Sequence, residues 1–257
     1  FDAGPTVITA PLAIEELFAL SGRQMADYVE MLPVSPFYRL SWENGFGLDY
    51  DGNFDAVAEQ IRQKSPADVD GYRRFLGFSE AVFEAGYQQL GHVPFLDWSS
   101  MLRVLPQLVR LKSYRSVYSV VSDFIRDPEL RQAFSFQSLL IGGNPFCVSS
   151  IYALIHALER TWGVYFPRGG TGALVQALAR LYQDLGGELR LDSPVEEIVT
   201  RHGRVAEVRC ADGRSIPVDA VASNADVVHT YERLLRQDGS ARKAADRLRR
   251  RRYSNSL

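Results

Sequence analysis

A glycine-rich stretch in the second half of the chain carries the residue types best suited to chemistry. The segment Phe166-Pro167-Arg168-Gly169-Gly170-Thr171-Gly172-Ala173-Leu174 places glycines and a hydroxyl at the entrance to an amphipathic helix. Backbone N–H groups at a helix N-terminus attract anions and polar ligand atoms. A structural alternative is that Thr171 only caps the helix while the glycines form the turn. The segment has neither the ending of a Walker loop nor a G-x-G-x-x-G pattern.

The predicted secondary structure that positions this glycine-rich stretch changes along the chain. From Val34 to Tyr50, aromatic residues flank Asn44-Gly45, which predicts a β-hairpin. Residues 54–160 have helical periodicity almost throughout, which predicts about five helices. After Gly163 the pattern becomes mixed, with a strand, a helix over 174–185 and then strands up to Ala222. The helical block therefore resembles an insertion between α/β pieces.

Turns and caps are predicted at specific dipeptides. Thr9 is expected to cap a helix that begins near Pro11, a further cap is expected at Ser65-Pro66, and a break is expected near Asp127-Pro128. In the later part of the chain, His202-Gly203 and Asp212-Gly213 should separate successive strands.

Composition excludes several classes of protein. The chain has 257 residues, 46% of them hydrophobic, and a net charge of -2, which is typical of a globular protein and gives no reason to expect a nucleic-acid partner. The Arg249–Arg252 cluster is predicted to be a solvated helix face. Two cysteines, Cys147 and Cys210, are far apart, which favours a reducing compartment. The four histidines share no metal-ligand spacing, so no metal site is predicted.

Both ends of the sequence suggest an interior piece of a longer protein. The chain starts at Phe1-Asp2-Ala3-Gly4-Pro5-Thr6 without a methionine, and it ends abruptly at Leu257. The Gly4-Pro5 pair suits a backbone that turns sharply or passes close to a ligand.

Several motifs, taken together and in order, resemble the bacterial phytoene desaturases, which are FAD-dependent carotene desaturases of the amine-oxidase-like flavoprotein group. The likeness runs nearly from end to end and is closest to the lycopene-forming type. The motifs that carry it are 1–6, Gly142-Gly143-Asn144-Pro145, 166–172, Ser193-Pro194-Val195-Glu196-Glu197-Ile198 and Ala222-Ser223-Asn224-Ala225-Asp226.

The resemblance implies an α/β fold of mixed α+β character, with part of a Rossmann-like FAD-binding domain and a substrate-domain sheet. It assigns residues 1–33 and 167–230 to the FAD-binding domain. Residues 34–53, 161–166 and 231–257 fall to the substrate-binding domain, and residues 54–160 form an inserted helical block that contacts the membrane. In the family, the G-x-G-x-x-G motif precedes the position of Phe1 and a second flavin motif follows that of Leu257.

The resemblance also implies a set of cofactor-binding residues. The backbone of Gly4, Pro5 and Thr6 would lie beside the flavin ring, and the turn at Gly169, Gly170 and Thr171 would hold another part of FAD. The main chain of Val195 would face the adenine, whereas its side chain by itself is that of an ordinary buried strand residue.

Desaturation of a hydrocarbon determines what else the chain must supply. Removal of a hydride equivalent and a proton requires a two-electron acceptor such as FAD, because no side chain stores two electrons. Family members often have Arg-Asp-Met-Leu-Arg where this chain has Ser99-Ser100-Met101-Leu102-Arg103. Arg103 is therefore a candidate catalytic residue, with Asp97 as a candidate substitute for the acid missing at Ser100. Arg103 as a solvated or lipid-facing charge is the alternative.

An apolar substrate offers no polar group to bind, so the protein must bind it in an apolar cavity of matching shape and take it up from a bilayer. Five aromatic residues are suited to line an apolar tunnel: Phe37, Tyr38, Trp42, Phe46 and Trp162. Packing in the core is the alternative for each of them. Residues 98–125 are basic and amphipathic, which predicts lipid contact through Arg110, Lys112 and Arg115 or, alternatively, an ordinary surface helix.

The sequence thus predicts a piece of an FAD-dependent phytoene desaturase that forms lycopene. Its expected partners are phytoene, a lipid surface and oxygen or a quinone as electron acceptor, and a homo-oligomer is left open. The expected location is cytoplasmic, peripheral on the inner face of the cell membrane. The alternatives are a desaturase for another carotenoid or a C30 substrate and, for the isolated piece, a non-catalytic module that binds a hydrophobic ligand or a membrane.

Overall fold

The structure is a computed structural model that describes residues 7–89 and 98–250. For residues 88, 89, 98–101 and 103 it describes the backbone alone. The chain divides into unit 1, Phe1–Gly186 with Ser256–Leu257, and unit 2, Gly187–Asn255. Helices dominate unit 1 and a small sheet lies in unit 2, so the expected mixture of helix and sheet is confirmed.

Most of the helices lie in unit 1. In chain order they are α1 (Pro11–Leu20), α2 (Phe54–Lys64), α3 (Val69–Phe83), α4 (Trp98–Arg110), α5 (Val117–Val121), α6 (Pro128–Ala133), α7 (Leu154–Trp162) and α8 (Thr171–Asp184). Short 3₁₀ turns connect them at Met25–Asp27, Pro66–Asp68, Phe136–Ile141 and Ser150–Ala153, and a π-helical segment follows α3 at Glu84–Gln89. In the part of the chain that the structure describes, no helix is both long and apolar enough to cross a bilayer.

Two antiparallel strand pairs complete unit 1. Strand β1 (Met31–Pro33) pairs with β4 (Tyr165–Pro167), and β2 (Tyr38–Ser41) pairs with β3 (Gly47–Tyr50). The second pair is the hairpin that the sequence predicts: the φ of Gly45 is +84°, and the Asn44 side-chain oxygen accepts the Phe46 N–H at 3.0 Å.

Unit 2 contains a three-stranded antiparallel sheet in the order β5 (Val195–Arg201), β6 (Arg204–Cys210), β7 (Ser215–Pro217). The turns predicted at His202-Gly203 and Asp212-Gly213 connect these strands. His202 and Gly203 both have a positive φ, which a tight hairpin between twisted strands favours. Helices α9 (Val227–His229), which continues as a π-helical segment at Thr230–Leu234, and α10 (Gly239–Arg249) follow.

Helix starts confirm the break predicted at Asp127-Pro128 and correct the two predicted caps. Ser65 precedes the Pro66–Asp68 turn without a side-chain hydrogen bond that caps it. Asp127 caps α6, accepting the N–H groups of Glu129 and Leu130 at 2.9 and 3.0 Å. Thr9 does not cap α1, because Ala10 occupies the cap position and Pro11 supplies the preset φ of the first turn.

The largest core cluster of unit 1 joins the β2–β3 hairpin to α2, α3 and the segment from α5 to α7. Its fully buried large side chains include Leu48, Tyr50, Ile61, Tyr72, Phe75 and Phe134. Helix α3 approaches the chain beyond α5 so closely that a Cβ on Gly71 would lie 2.0 Å from the carbonyl oxygen of Phe124. Only glycine permits this backbone contact.

Two glycines of α3 therefore give a matched pair of substitutions. Gly71→Ala should lower the free energy of unfolding by about 2 kcal/mol or more, because α3 must move away from Phe124. Gly77→Ala should raise it by about 0.5–1 kcal/mol, because that exposed site has no atom within 4 Å of an added Cβ and alanine favours the helix.

Urea unfolding followed by tryptophan fluorescence measures both variants. All three tryptophans, Trp42, Trp98 and Trp162, belong to unit 1, so the signal reports the unit that contains α3. Equal effects of the two substitutions would contradict the close approach at Gly71.

Candidate functional site

The glycine-rich turn connects β4 to α8 with backbone angles that need glycine. Gly169 and Gly170 have φ values of +87° and +86°, and the ψ of Gly170 is 176°, a combination that L-residues rarely adopt. A Cβ on Gly169 would also lie 3.4 Å from that of Ala173. Gly170, and not Thr171, is the N-cap residue of α8, whereas the glycines form the turn as the structural alternative expects.

Neighbouring contacts hold this turn in place. Strand β4 pairs with β1 on one side, and Ile8 forms an isolated antiparallel bridge with Tyr165 on the other. The Arg168 guanidinium pairs with the Glu30 carboxylate, and the Arg168 N–H donates to the Glu30 carbonyl oxygen at 2.8 Å. The pKa of the exposed Glu30 carboxyl is lowered, first by the hydrogen bond from Arg168.

Three predicted cofactor residues and one catalytic candidate lie outside the described residues. They are Gly4, Pro5, Thr6 and Asp97. Arg103 belongs to α4, where the description covers its backbone alone.

Val195 differs from the sequence expectation. It begins β5 opposite Cys210, next to an irregularity in the strand register, and its side chain is 41% exposed rather than buried. Val195 belongs to unit 2, whereas Gly169, Gly170 and Thr171 belong to unit 1.

The aromatic residues proposed for a substrate tunnel pack against other rings. Trp42 stacks on Phe46 at 5.0 Å and Tyr38 meets Phe136 edge-on at 5.1 Å. Phe37 contacts Tyr50, and Trp162 packs between Phe83 and Tyr87. These contacts are those of core residues, and the tunnel stays a prediction.

The basic residues after α4 are less available than the sequence suggests. Lys112 Nζ lies 2.9 Å from Asp123 Oδ2, and Arg115 Nη1 lies 2.5 Å from the same oxygen. Hydrogen bonds from Arg115 and then Lys112 lower the pKa of Asp123 to about 2. Of the three predicted lipid-binding cations, Lys112 and Arg115 thus already have an acidic partner eight to eleven residues further along the chain.

Sequence reasoning missed a buried polar cluster on α7. His156 is helical, as the sequence suggests, but its partners lie far along the chain. Its Nδ1 lies 2.8 Å from the Tyr50 hydroxyl and 3.2 Å from Gln137 Nε2, and its Nε2 lies 3.1 Å from the Phe134 carbonyl oxygen. Glu159, one turn later on α7, is also fully buried. The sequence signal for this cluster is weak, since α7 carries His156 and Glu159 three residues apart beside further polar residues.

This geometry assigns a neutral imidazole to His156. A carbonyl oxygen can only accept, so Nε2 carries the proton and donates to Phe134. Nδ1 is then an acceptor for Tyr50 and Gln137. Burial lowers the pKa of His156 to about 4, partly opposed by the Phe134 carbonyl, and the Arg160 charge lowers it further.

Comparison with known proteins identifies the family. The profile described as flavin containing amine oxidoreductase matches residues 1–256. The chain belongs to this family of flavin-containing oxidoreductases. Family membership assigns FAD to the complete protein and confirms the predicted cofactor.

Similar proteins within the family are described as phytoene desaturases. The lycopene-forming enzyme of Pseudescherichia vulneris is 60% identical and that of Pantoea ananas 59% identical, each over 100% of this chain and 52% of the relative. A neurosporene-forming enzyme of Rhodobacter capsulatus is 39% identical over 100% of this chain and 49% of its own length. The chain therefore spans about half the length of the curated relatives it matches.

Solved structures agree on the fold. A Pyrococcus furiosus protein superposes with a TM-score of 0.56 at 18% identity, covering 95% of this chain and 52% of the other. A putrescine oxidase variant with redesigned cofactor binding gives 0.55 at 12% identity, covering 91% and 49%. These similarities confirm the oxidoreductase fold of the family.

The β4–α8 turn fits a part in flavin binding. Helix α8 is 14 residues long, its N-cap residue is glycine, and its own first turn contains no acidic residue that would neutralise its positive end. An added Cβ on Gly172 would meet no atom within 4 Å, which leaves space beside the first turn. Among the residues described, no group of three acidic, histidine or cysteine side chains is arranged to hold a metal ion.

The neutral state of His156 predicts a dependence of stability on pH. The folded pKa is about 4 and the ordinary value is 6.5, so the stabilisation is complete above pH 6.5 and is lost as the pH falls through 4. Over that interval the loss is on the order of 3 kcal/mol. His156→Asn should abolish this loss, measured as the difference between variant and wild type in urea unfolding across the pH series.

His202→Asn is the matched control, because His202 is exposed and its positive φ suits asparagine. It should leave the pH dependence unchanged. An acid-induced loss that persists in His156→Asn would show that His156 is not its source.

Proposed function

We propose that this chain is part of an FAD-dependent phytoene desaturase that forms lycopene by successive dehydrogenations of carbon–carbon single bonds. The observation that carries this proposal is the 60% identity, over every residue of the chain, to a lycopene-forming enzyme. The neurosporene-forming relative is 39% identical over the same span, so the identity favours lycopene as the product. Phytoene is accordingly the proposed substrate.

The proposed chemistry divides between the cofactor and the protein. FAD supplies the capacity to accept the two electrons that leave with each new double bond. The chain would hold it through the backbone at Gly169 and Gly170, which lies at the start of α8 and suits a polar or anionic ligand. Gly4, Pro5, Thr6 and the main chain of Val195 remain the other proposed cofactor contacts, and Arg103 and Asp97 the proposed catalytic residues.

A lipid surface is the proposed source of the substrate. Helix α4 carries Leu102, Leu105 and Val109 at a spacing of three and four residues, and these side chains are 64%, 48% and 54% exposed. We call them the apolar face of α4. Arg110, which directly follows, is exposed and would favour anionic headgroups. The apolar face is thus better placed for lipid contact than Lys112 and Arg115, which have Asp123 as a partner.

Reoxidation of the cofactor would need an external acceptor, for which oxygen or a quinone is proposed. The proposed location, peripheral on the cytoplasmic face of the cell membrane, follows from the insolubility of the substrate in water.

Two glycines at opposite ends of α8 test the cofactor site. In the complete desaturase, Gly170→Ala should lower the bound FAD per protein at least about tenfold, because a strained cap displaces the start of α8. Gly186→Ala introduces a side chain at the same φ, +87°, beyond the other end of the helix and should keep the flavin. Flavin absorbance of the purified proteins and chromatography of the products from added phytoene measure the outcome.

Wild type and Gly186→Ala should form lycopene, and Gly170→Ala should not. Flavin-loaded wild-type protein that leaves phytoene unchanged, but converts a C30 analogue, would replace the proposed substrate. Protein that binds lipid vesicles without flavin would favour the non-catalytic binding module.

The apolar face of α4 gives a separate test of lipid contact. The double variant Leu105→Gln/Val109→Gln should weaken binding to vesicles containing anionic lipid roughly a hundredfold, because two apolar side chains no longer enter the bilayer. The control Leu12→Gln/Leu17→Gln changes two side chains of α1 that are equally exposed, 49% and 48%, and should bind as the wild type does. Vesicle sedimentation measures both, and equal binding by the two variants would argue against this face.

A further inference from the structure

Glu159 is an acidic side chain in the interior of unit 1. It lies on α7, is fully buried and packs where α7 meets the β2–β3 hairpin and α3. An isolated charge at such a position is strongly disfavoured. The structure gives Glu159 no ion pair within the described residues.

A single hydrogen bond orients this carboxyl. The Tyr38 hydroxyl, on β2, donates to Glu159 Oε1 at 2.5 Å. Burial first, and then the neighbouring Glu159, raise the pKa of Tyr38 well above its ordinary value, so the hydroxyl keeps its proton and remains a donor. Glu159 Oε2 is buried and has no hydrogen-bond partner among the residues described.

The surrounding groups leave Oε2 available for a proton. Tyr50 on β3, Tyr72 on α3 and His156 on α7 are the neighbouring titratable groups. Burial raises the pKa of Tyr72 to about 12 and that of Tyr50 well above its usual value, and His156 is neutral. The charge of Arg160 acts on both tyrosines, lowering the pKa of each. Burial raises the pKa of Glu159 to about 7, and the Tyr38 hydrogen bond opposes this rise.

We propose that Glu159, held by Tyr38, is a buried proton-exchange site. In its uncharged form Oε2 carries the proton and Oε1 accepts the Tyr38 hydrogen bond. In its charged form Oε2 has released that proton to water or to another base, and the Tyr38 hydrogen bond remains as the stabilising contact. One proton moves and no electron is transferred, so the step needs no co-reactant beyond a base.

The proposed function gives this site a use, and this part of the inference rests on it. Each new double bond releases one proton besides the hydride equivalent that FAD takes up. A buried carboxyl with a free oxygen is chemically suited to hold that proton. Glu159 then acts as a positioning and proton-holding residue, held against the hairpin by Tyr38.

Infrared titration of the 257-residue chain tests the site without reference to desaturation. The carbonyl band of a protonated carboxylic acid should disappear with a midpoint near pH 7 in the wild type. Glu159→Gln should lack this transition. Glu80→Gln, the matched control at an exposed position on α3, should retain it. Tyr38→Phe should move the midpoint to higher pH, because it removes the hydrogen bond that favours the charged form.

Stability provides a second measurement on the same proteins. A folded pKa above the ordinary 4.5 means that the stabilisation is complete below pH 4.5 and is lost as the pH rises through about 7. The unfolding equilibrium constant of the wild type should therefore increase on the order of 300-fold relative to Glu159→Gln across that interval. Glutamine has the shape of the protonated acid, so the variant should fold.

The experimental outcomes distinguish the proton-exchange site at Glu159 from its use in desaturation. A wild-type chain without a carboxyl transition between about pH 5 and 9, or a Tyr38→Phe chain with an unchanged midpoint, would overturn the exchange site whatever the enzyme does. In the complete desaturase, Glu159→Gln should remove the limb near pH 7 from the pH profile of product formation. A transition in the isolated chain together with an unchanged activity profile would support the site and reject its use in desaturation.

Discussion

The hydrogen bonds of α7 with the hairpin and with α3 are the contacts on which the remainder of unit 1 depends. Tyr50 of β3 donates to His156, and Tyr38 of β2 donates to Glu159, so both strands are bound to one helix. On the opposite side, the buried Ser79 hydroxyl of α3 donates to the Ala153 carbonyl at 2.6 Å and accepts the Ala157 N–H at 2.9 Å. Polar groups thus fix the position of α7 inside an apolar core, where directional bonds specify orientation more closely than packing does.

The position of α7 is transmitted directly to the candidate flavin turn. Helix α7 ends at Trp162 and is followed by Gly163, whose φ is +78° and whose N–H donates to the Glu159 carbonyl oxygen at 2.8 Å. The next residue, Val164, accepts the Val34 N–H at 2.8 Å, and β4 begins one residue later. Because β4 spans only Tyr165–Pro167, a displaced α7 would shift the start of α8 as well. The buried polar cluster and the glycine turn are therefore parts of one positioned segment.

Local features of this fold were predictable from sequence and distant pairings were not. Asn44-Gly45 and Asp127 act through bonds to residues two or three positions away, so their turn and cap could be predicted from a short window. The partner of Lys112 and Arg115 is an aspartate beyond the next helix, and a count of basic residues does not reveal it. His156 and Glu159 are recognisable only when residues from the hairpin are brought beside them. The turn at Gly169 and Gly170 was predictable because positive φ angles are a property of glycine itself.

The two buried titratable groups of α7 change the stability of the fold in opposite directions as the pH changes. Each is stable in its uncharged form, but one is a base with a pKa near 4 and the other an acid with a pKa near 7. Between pH 4.5 and 6.5, a rise in pH stabilises the fold through His156 and destabilises it through Glu159, each by about 1.4 kcal/mol per pH unit. The two contributions therefore oppose each other over that range. Above it, Glu159 alone of the two changes charge, and the interior gains a carboxylate whose hydrogen bond among the described residues comes from Tyr38. A proton held on Glu159 is thus exchanged in the neutral range, where His156 is already uncharged in both the folded and the unfolded chain.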